Sequence, residues 1–367
     1  MRVAIDAHMI GSRETGNESY TLNLLCGLAA LPEDGDVYQV LTPDPERLAK
    51  RFTAPPWFEV HRVWPRASML RIPVGMPLAL RATQSSLLHV SYIAPPVALG
   101  RTVVTVHDLS YLEHPEWVSG RVRWLLTTLV PPSLRRASRV IAISDFTRRE
   151  LIRRYQVPEW KIAVVPEAAA AGYAVMPDAR SRPLPAGVRE PFVLAVGNLE
   201  PRKNLQRLIE AFGAVVTDGF QGSLVIAGQS KYQGEAAAAA AARLGLGDRV
   251  VFTGYVDDAT LALLYNRAAL FIYPSLYEGF GLPPLEAMAC GCPVVASNAT
   301  AIPETVGDAA ILVDPLSVSE MAKAMVRVLG DKDLAGSLSA AGRAHAARFS
   351  WRRTAELTRA VYRQALR

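Results

Sequence analysis

Cysteine is scarce in this sequence of 367 residues and occurs only at positions 26, 290 and 292. So few cysteines exclude a disulfide framework and favour a reducing compartment. A single glycine separates Cys290 from Cys292, a spacing too short for the usual metal-binding pair. We therefore expect these two thiols to pack as small apolar side chains.

Long apolar runs are also missing. No window approaches the roughly 18 uninterrupted apolar residues that a membrane-spanning helix needs, so we expect none. The N-terminal segment reaches Asp6 and His8 too early for the apolar region of a secretory signal. These features predict a cytoplasmic protein and leave open a peripheral contact with the inner face of the membrane.

Charge of one sign is only modestly in excess, since 40 basic and 34 acidic residues give a net charge of +6. No long block of lysine and arginine occurs, so we expect no nucleic-acid partner. Anionic substrates and an anionic lipid surface explain the excess equally well. No GxGxxG follows a strand, which disfavours a dinucleotide-binding dehydrogenase.

The length predicts two domains, because single cores stop growing at roughly 250 to 300 residues. Residues 173–190 contain three prolines and no periodicity, as expected of a linker. We therefore expect an N-terminal domain over residues 1–172 and a second domain over 191–350, with residues 351–367 forming a final helix.

The most informative stretch runs from Tyr273 to Ser297. It has the pattern of a buried strand, a glycine-containing turn, a helix that starts near Pro283 and a second strand. Gly279 and Gly281 allow close approach of a ligand, and free amides at a helix start favour an anion. Glu278 and Glu286 would repel a diphosphate but can accept hydrogen bonds from hydroxyls. The ligand predicted is a sugar attached to a nucleoside diphosphate.

The run EGFGLPPLE, residues 278–286, resembles the E-x7-E signature of the retaining nucleotide-sugar glycosyltransferases of family 4, which have the GT-B fold. The resemblance implies an α/β protein in which two Rossmann-like, doubly wound parallel-sheet domains face each other across a cleft. The C-terminal helix would cross back to the first domain. Glu278 would then bind sugar hydroxyls and Glu286 the ribose, while residues 279–282 (Gly279, Phe280, Gly281 and Leu282) would line the donor.

A second strand-to-helix turn, GNLEPRKN at residues 197–204, carries Arg202 and Lys203. Two cations on one loop can hold both phosphates of a leaving diphosphate. Family members use an arginine and a lysine in this way, and these two residues match them. Asn198 in this turn, and Tyr255 in a loop that touches the nucleobase in similar proteins, are further donor-side candidates.

Two candidates lie in the first domain. Gly16 stands in a loop before a helix expected from about Ser19, and by resemblance this loop faces the donor; a plain turn glycine is the alternative. His107 follows a strand at residues 103–106, and by resemblance it lines the sugar pocket. His107 would hydrogen-bond the transferred sugar or the acceptor, whereas Asp108 would be an orienting or capping residue.

Segment 66–90 mixes apolar residues with Arg66, Arg71 and Arg81. It could lie on a membrane or receive a lipid-linked acceptor, and packing on its own sheet explains it equally well. Two further segments, IDAHMIG at residues 5–11 and VHDLSYLEHPEW at 106–117, resemble bacterial mannosyl- or rhamnosyltransferase-like members.

The predicted function is therefore retaining transfer of a hexose, with mannose from GDP-mannose favoured. The acceptor would be a saccharide or lipid-linked saccharide in cell-surface polysaccharide synthesis. No DxD-type acidic pair ends a strand, so we expect neither a metal nor a cofactor. A nucleotide-sugar epimerase and a non-catalytic nucleotide-sugar binding protein are the alternatives.

Overall fold

The computed structural model describes residues 1–11, 15–97, 100–229 and 234–367. These form two compact units, residues 1–167 with 350–367 and residues 168–349. Each unit contains one sheet in which all observed strand pairs are parallel. Residues 173–190, the predicted linker, lie within the second unit.

The sheet of the first unit has seven strands in the order β3-β2-β1-β4-β5-β6-β7. Their bounds are β1 Arg2–Asp6, β2 Val37–Thr42, β3 Phe58–Arg62, β4 Leu87–Ser91, β5 Arg101–Val106, β6 Arg139–Ala142 and β7 Ile162–Val164. The second sheet has six strands in the order β10-β9-β8-β11-β12-β13. These are β8 Phe192–Val196, β9 Ser223–Ala227, β10 Val250–Gly254, β11 Leu270–Tyr273, β12 Val294–Ser297 and β13 Ile311–Val313.

The helices of the first unit are α1 Thr15–Ala29, α2 Pro45–Ala49, α3 Ser68–Leu70, α4 Met76–Thr83, α5 Ser110–Glu113, α6 Gly120–Arg136 and α7 Asp145–Tyr155. Those of the second unit are α8 Leu205–Thr217, α9 Gly234–Arg243, α10 Asp258–Arg267, α11 Leu282–Ala289, α12 Ile302–Val306, α13 Val318–Gly330 and α14 Lys332–Ala346. The last helix, α15 Trp351–Leu366, belongs to the first unit.

Each sheet is buried, as parallel sheets normally are, because their crossover helices cover them. Apolar side chains of β8, β9 and β11 meet α8 and α13 in one core, and those of β1, β4 and β5 form another. Cys290 and Cys292 are buried, as expected from their apolar character. The expected fold class is therefore confirmed, two parallel-sheet Rossmann-like units with the final helix returned to the first.

Segment 66–90 holds more structure than the sequence indicated. A π-helical turn, Arg71–Gly75, joins α3 to α4, and strand β4 follows. Strand β4 was missed because its apolar residues extend the same pattern of apolar and basic residues without an obvious break. One face of the segment packs inward through Met76 and Leu80, whereas Met69 and Leu78 are exposed.

The strand order reverses once in each sheet, between β1 and β4 and between β8 and β11. In open α/β sheets, ligands bind outside the carboxyl ends of the strands at such a reversal. The loops after these strands are therefore where a site is expected.

Candidate active site

An ionic cluster joins the loops that follow β8 and β11. Lys203 Nζ donates to Glu278 Oε1 at 2.6 Å, and Arg202 Nη1 donates to Glu278 Oε2 at 2.8 Å. Ser275 Oγ also donates to Glu278 Oε1 at 2.6 Å. The sequence-predicted cations and carboxylate thus meet at the reversal of the second sheet.

The absence of a side chain at Gly197 leaves room for the side chain of Lys203. Gly197 has φ +146°, and an added Cβ would lie 2.8 Å from Lys203 Cε. Lys203 Nζ also donates to the Tyr273 hydroxyl at 2.6 Å and lies 4.7 Å from the centre of that ring. Only glycine leaves room for the lysine stem here, so the end of β8 and the end of β11 together fix the ammonium group.

The two loops are tied by their backbones as well. Leu276 N donates to Arg202 O at 2.8 Å. Asn204, with φ +58°, donates from Nδ2 to Pro274 O at 3.2 Å and to Pro315 O at 2.6 Å. Arg202 is further held by Glu200, with Nε 2.9 Å from its Oε2. The cluster is therefore preorganised in the free protein.

Burial and charge compete at the ionic cluster. Burial alone would raise the pKa of Glu278, but Arg202 and Lys203 outweigh it and lower that pKa to about 2. Burial, and secondly the charge of Arg202, lower the pKa of Lys203 in spite of the carboxylate. Glu278 is therefore ionised at neutral pH and holds two cations side by side.

Helix α11 begins just beyond this cluster. Gly281 precedes it with φ +112°, and Thr305 Oγ1 donates to Phe280 O at 2.6 Å. Gly279 and Phe280 are buried, and Leu282 is half-buried. Glu286 lies one turn into the helix and accepts a hydrogen bond from the Tyr265 hydroxyl at 3.2 Å. The helix start thus lies on the same loop as Glu278, as the sequence predicted.

The remaining donor-side candidates are less closely held. Asn198 is half-buried after β8, and its carbonyl accepts from Glu200 N at 2.7 Å. Tyr255 is 55 % exposed and follows β10, the outermost strand. Both stand at the carboxyl edge of the second sheet, with Tyr255 displaced by two strands from the reversal.

In the first unit, His107 follows β5 and is buried between two partners. Its Nε2 lies 3.2 Å from Ser91 Oγ, at the end of β4, and its Nδ1 lies 3.3 Å from Glu167 Oε1, after β7. Because a carboxylate only accepts, Nδ1 carries the proton and Nε2 is the acceptor. Asp108 accepts from Ser110 N at 2.9 Å, which matches the capping role expected for it.

The position of Gly16 in the fold differs from the one that the sequence predicted. Helix α1 already begins at Thr15, so Gly16 lies in its first turn rather than in a loop. The helix signal was misplaced because Gly16 and Asn17 are poor helix formers. An added Cβ would meet nothing within 4 Å, so packing does not require glycine there. The three residues before Thr15 lie outside the described part of the chain.

Sequence reasoning missed four groups that hold the predicted residues in place. Tyr273 and Ser275 hold the Lys203–Glu278 pair, and Ser91 and Glu167 hold His107. Each lies at or just beyond the carboxyl end of a strand, which is the signal that could have found them.

Two family models cover most of the chain. The model described as glycosyl transferases group 1 matches residues 178–345, and the model described as glycosyltransferase family 4 matches residues 15–169. These ranges follow the two units closely.

Among curated proteins, the O-antigen chain mannosyltransferase B of Escherichia coli is 34% identical over 278 residues, which are 74% of this chain and 73% of that protein. Among solved structures, sucrose-phosphate synthase from Thermosynechococcus elongatus superposes with a TM-score of 0.75 at 25% identity, covering 99% of this chain and 98% of that one. The Anabaena protein HepE, solved with UDP-glucose, gives 0.76 at 19% identity and covers 99% and 100%.

Proposed function

We propose, starting from the fact that this chain belongs to family 4 of the glycosyltransferases, that it moves mannose from GDP-mannose to a saccharide acceptor in cell-surface polysaccharide synthesis. The two matched family models and the E. coli relative show this family membership. The sugar is taken from the name of that relative, an O-antigen chain mannosyltransferase.

The observation that supports this function best is the buried cluster of Arg202, Lys203 and Glu278. Departure of a nucleoside diphosphate concentrates negative charge on the phosphate oxygens. Fixed cations and helix-start amides stabilise such charge without reorganising during the reaction. Arg202, Lys203 and the amides near Gly281 supply this stabilisation.

The transfer itself retains the anomeric configuration. The acceptor hydroxyl oxygen bonds to the anomeric carbon on the face from which the diphosphate leaves, as the bond from that carbon to the phosphate oxygen breaks. The hydroxyl proton passes to the leaving phosphate. In our assignment, Glu286 binds the ribose, and His107 Nε2 accepts a hydrogen bond from a hydroxyl of the sugar or the acceptor in place of the Ser91 hydroxyl.

Glu278 takes two roles in this proposal. Both of its oxygens already accept hydrogen bonds, from Lys203 and Ser275 on one side and from Arg202 on the other. It therefore orients the cations and presents its remaining lone pairs to the sugar hydroxyls. In this proposal Arg202 and Lys203, rather than a divalent ion, neutralise the diphosphate.

A donor panel tests the proposal. Thermal unfolding is followed with GDP-, UDP-, dTDP- and ADP-sugars, with magnesium and with EDTA, and products are analysed with labelled GDP-mannose and a mannose-terminated saccharide. We expect GDP-mannose to stabilise most, with and without the metal, and a new glycoside to form. Free nucleotide without a glycoside would favour an epimerase, and binding without turnover a sensor.

Lys203→Ala gives the matched test of the cluster, with Lys323→Ala on the exposed side of α13 as its control. The first change should lower turnover by roughly 100-fold. The control should leave it unaltered. Equal activity of both variants would remove Lys203 from the reaction.

We also infer a peripheral membrane contact through the exposed face of segment 66–83. Met69 is 68% exposed, and Leu70, Val74 and Leu78 are exposed beside it, with Arg66 and Arg81 in the same segment. Apolar side chains among arginines suit the interface of an anionic bilayer. No helix among the described residues is long and apolar enough to cross a membrane.

Co-sedimentation with vesicles tests this contact. Wild type should bind vesicles containing anionic lipid more than neutral ones, and Met69→Ser with Leu70→Ser should weaken binding. Unchanged binding of the double variant would remove this surface from the contact.

A further inference from the structure

Arg71 opens the π-helical turn that follows α3, and its side chain is buried. Only 3% of its surface is exposed. Within the part of the chain that the structure describes, its Nε has no hydrogen-bond partner, and no carboxylate lies within ion-pairing distance of the guanidinium. The side chain of Arg71 is thus buried, and no carboxylate of the described residues pairs with it directly.

A buried guanidinium without a directly paired carboxylate lowers the stability of the folded protein. An uncompensated buried charge destabilises a native protein, and most buried polar groups are satisfied by protein, water or a bound ion. An arginine side chain also keeps its charge when it is buried. The arrangement is therefore explained if an anion completes it.

The acid on the neighbouring strand does not serve as that partner. Asp6, at the end of β1, is taken by His8, whose Nδ1 lies 2.9 Å from Oδ2 and whose backbone N lies 3.2 Å from Oδ1. Burial would raise the pKa of Asp6, but His8 and, more weakly, the charge of Arg71 lower it. Arg71 is thus close enough to influence the end of β1 without pairing there.

The π turn that begins at Arg71 is closely packed and lies near the reversal of the first sheet. Gly75, at the end of the π turn, packs so closely on Trp64 that an added Cβ would lie 2.3 Å from the Trp64 carbonyl oxygen. Asp6 ends one of the two strands at the reversal of the first sheet, the edge where ligands bind. Single π turns are themselves frequent at functional sites.

The residues around Arg71 in the chain indicate what carries the anion. Leu70 precedes it and Val74 lies within the same turn, and both are exposed. An enclosed cation bordered by exposed apolar side chains matches a phosphate group that is attached to an apolar chain. A guanidinium also matches phosphate geometrically, because its N–H groups form a planar fork.

We propose that Arg71 binds a phosphate group of the acceptor. This site rests on the proposed glycosyl transfer only for the identification of its ligand as the acceptor. The phosphate comes either from a lipid-linked saccharide or from a water-soluble phosphorylated one.

The test uses the full chain saturated with the nucleoside diphosphate that stabilises it most, so that the donor site is occupied. Inorganic phosphate, dodecyl phosphate and the uncharged dodecyl glucoside are then titrated, with thermal unfolding and calorimetry as readouts. Both phosphates should bind wild type, and stronger binding of dodecyl phosphate would identify the lipid-linked source. Equal binding would identify the water-soluble one.

Arg71→Met keeps the side-chain volume and removes the charge. It should raise the unfolding temperature of the free protein, because an unpaired buried charge is lost, and weaken phosphate binding about 10- to 100-fold. Arg71→Lys should restore part of the binding. Arg101→Met, which changes an exposed arginine at the start of β5 and outside segment 66–83, should change neither property.

The proposal is overturned if Arg71→Met binds the phosphates as wild type does, or if wild type binds neither. Nucleoside diphosphate binding should persist in Arg71→Met. A wild-type chain that binds no nucleoside diphosphate would instead contradict the proposed transfer, and the phosphate titrations would still report on Arg71.

Discussion

Lys203 Nζ and Glu278 Oε1 lie 2.6 Å apart, and the two residues expose only 7% and 9% of their surfaces. They are 75 positions apart in the chain and meet because β8 and β11 are neighbours at the reversal of the second sheet. An ion pair so enclosed is costly to break on one side, since the remaining buried charge loses its nearest counter-ion. Both the stability and the activity of the second unit should therefore depend on it.

Glu278→Gln should lower the free energy of unfolding by about 3 kcal/mol, because the buried Lys203 and the half-buried Arg202 lose their shared carboxylate. Turnover should fall roughly 100-fold, since Arg202 and Lys203 are no longer held. Chemical denaturation and initial rates measure both effects. Glu210→Gln, which alters a surface pair with Arg243, is the control and should change neither.

Gly197→Ala should disturb the site without removing any charged group. The new Cβ would meet Lys203 Cε at 2.8 Å at a backbone φ of +146°, and Lys203 cannot move aside without leaving Tyr273 and Glu278. We expect a loss of about 1–3 kcal/mol in stability and weaker donor binding.

Gly336→Ala provides the contrast for that variant. Gly336 lies inside α14, and an added Cβ would meet nothing within 4 Å. This change should stabilise the protein by roughly 0.5–1 kcal/mol. If Gly197→Ala also stabilised the protein, the close packing of Lys203 against Gly197 would not matter for the site as we propose.

Stability should fall in mild acid because of His89. Burial, together with the charge of His107, lowers the pKa of His89 to about 3, whereas in the unfolded chain it is near 6.5. Between these values the unfolded state binds the extra proton, so stability is complete above pH 6.5 and is lost as the pH falls. The loss should reach roughly 2 kcal/mol by pH 5.

Denaturant unfolding from pH 7.5 to 5 checks this slope. His89→Gln should flatten it, even though the variant is less stable overall, whereas His114→Gln should not, because His114 lies near the surface. Glu278 contributes in a lower window, from its usual pKa of 4.5 down to about 2. An unchanged slope in His89→Gln would contradict the assignment.

Glu167→Gln should affect the reaction through His107. The carboxylate fixes the proton on His107 Nδ1, whereas an amide can present either a donor or an acceptor to that nitrogen. We expect turnover to fall about 10-fold with a smaller change in KM. Nitrogen NMR of the imidazole should show one tautomer in wild type and a mixture in the variant.

A role of Glu167 in packing alone would leave the tautomer as it is. Glu150→Gln is a suitable comparison, because this carboxylate pairs with Arg153 on α7 and has no contact with His107. Loss of activity in both variants without a change of tautomer would count against the positioning role.

The fold and the centre of the site were predictable for one reason. Arg202, Lys203, Glu278 and His107 directly follow buried apolar strands, and parallel strands bring their carboxyl ends to one edge. The same rule could have found Glu167, which follows β7. Ser91 escaped because β4 was not separated from the apolar stretch before it.

Other features depend on packing that no local pattern records. Gly16 was assigned to a loop, although the helix forms through it from Thr15. The contact of Lys203 with Tyr273 joins residues 70 positions apart. Arg71 looked like any other basic residue of an amphipathic segment, and its burial follows from how the π turn rests on the end of β3.

The return of α15 to the first unit sets the order in which the protein can mature on the ribosome. The Tyr362 hydroxyl lies 2.6 Å from His89 Nδ1, and the Trp351 carbonyl oxygen packs against Gly27, where an added Cβ would lie 2.5 Å away. Residues 1–167 therefore emerge with their final helix still untranslated, behind the whole of 168–349. A nascent chain must therefore keep the groove beside α1 open until residues 351–366 have been translated, and a deletion that removes α15 would destabilise the unit that was made before it.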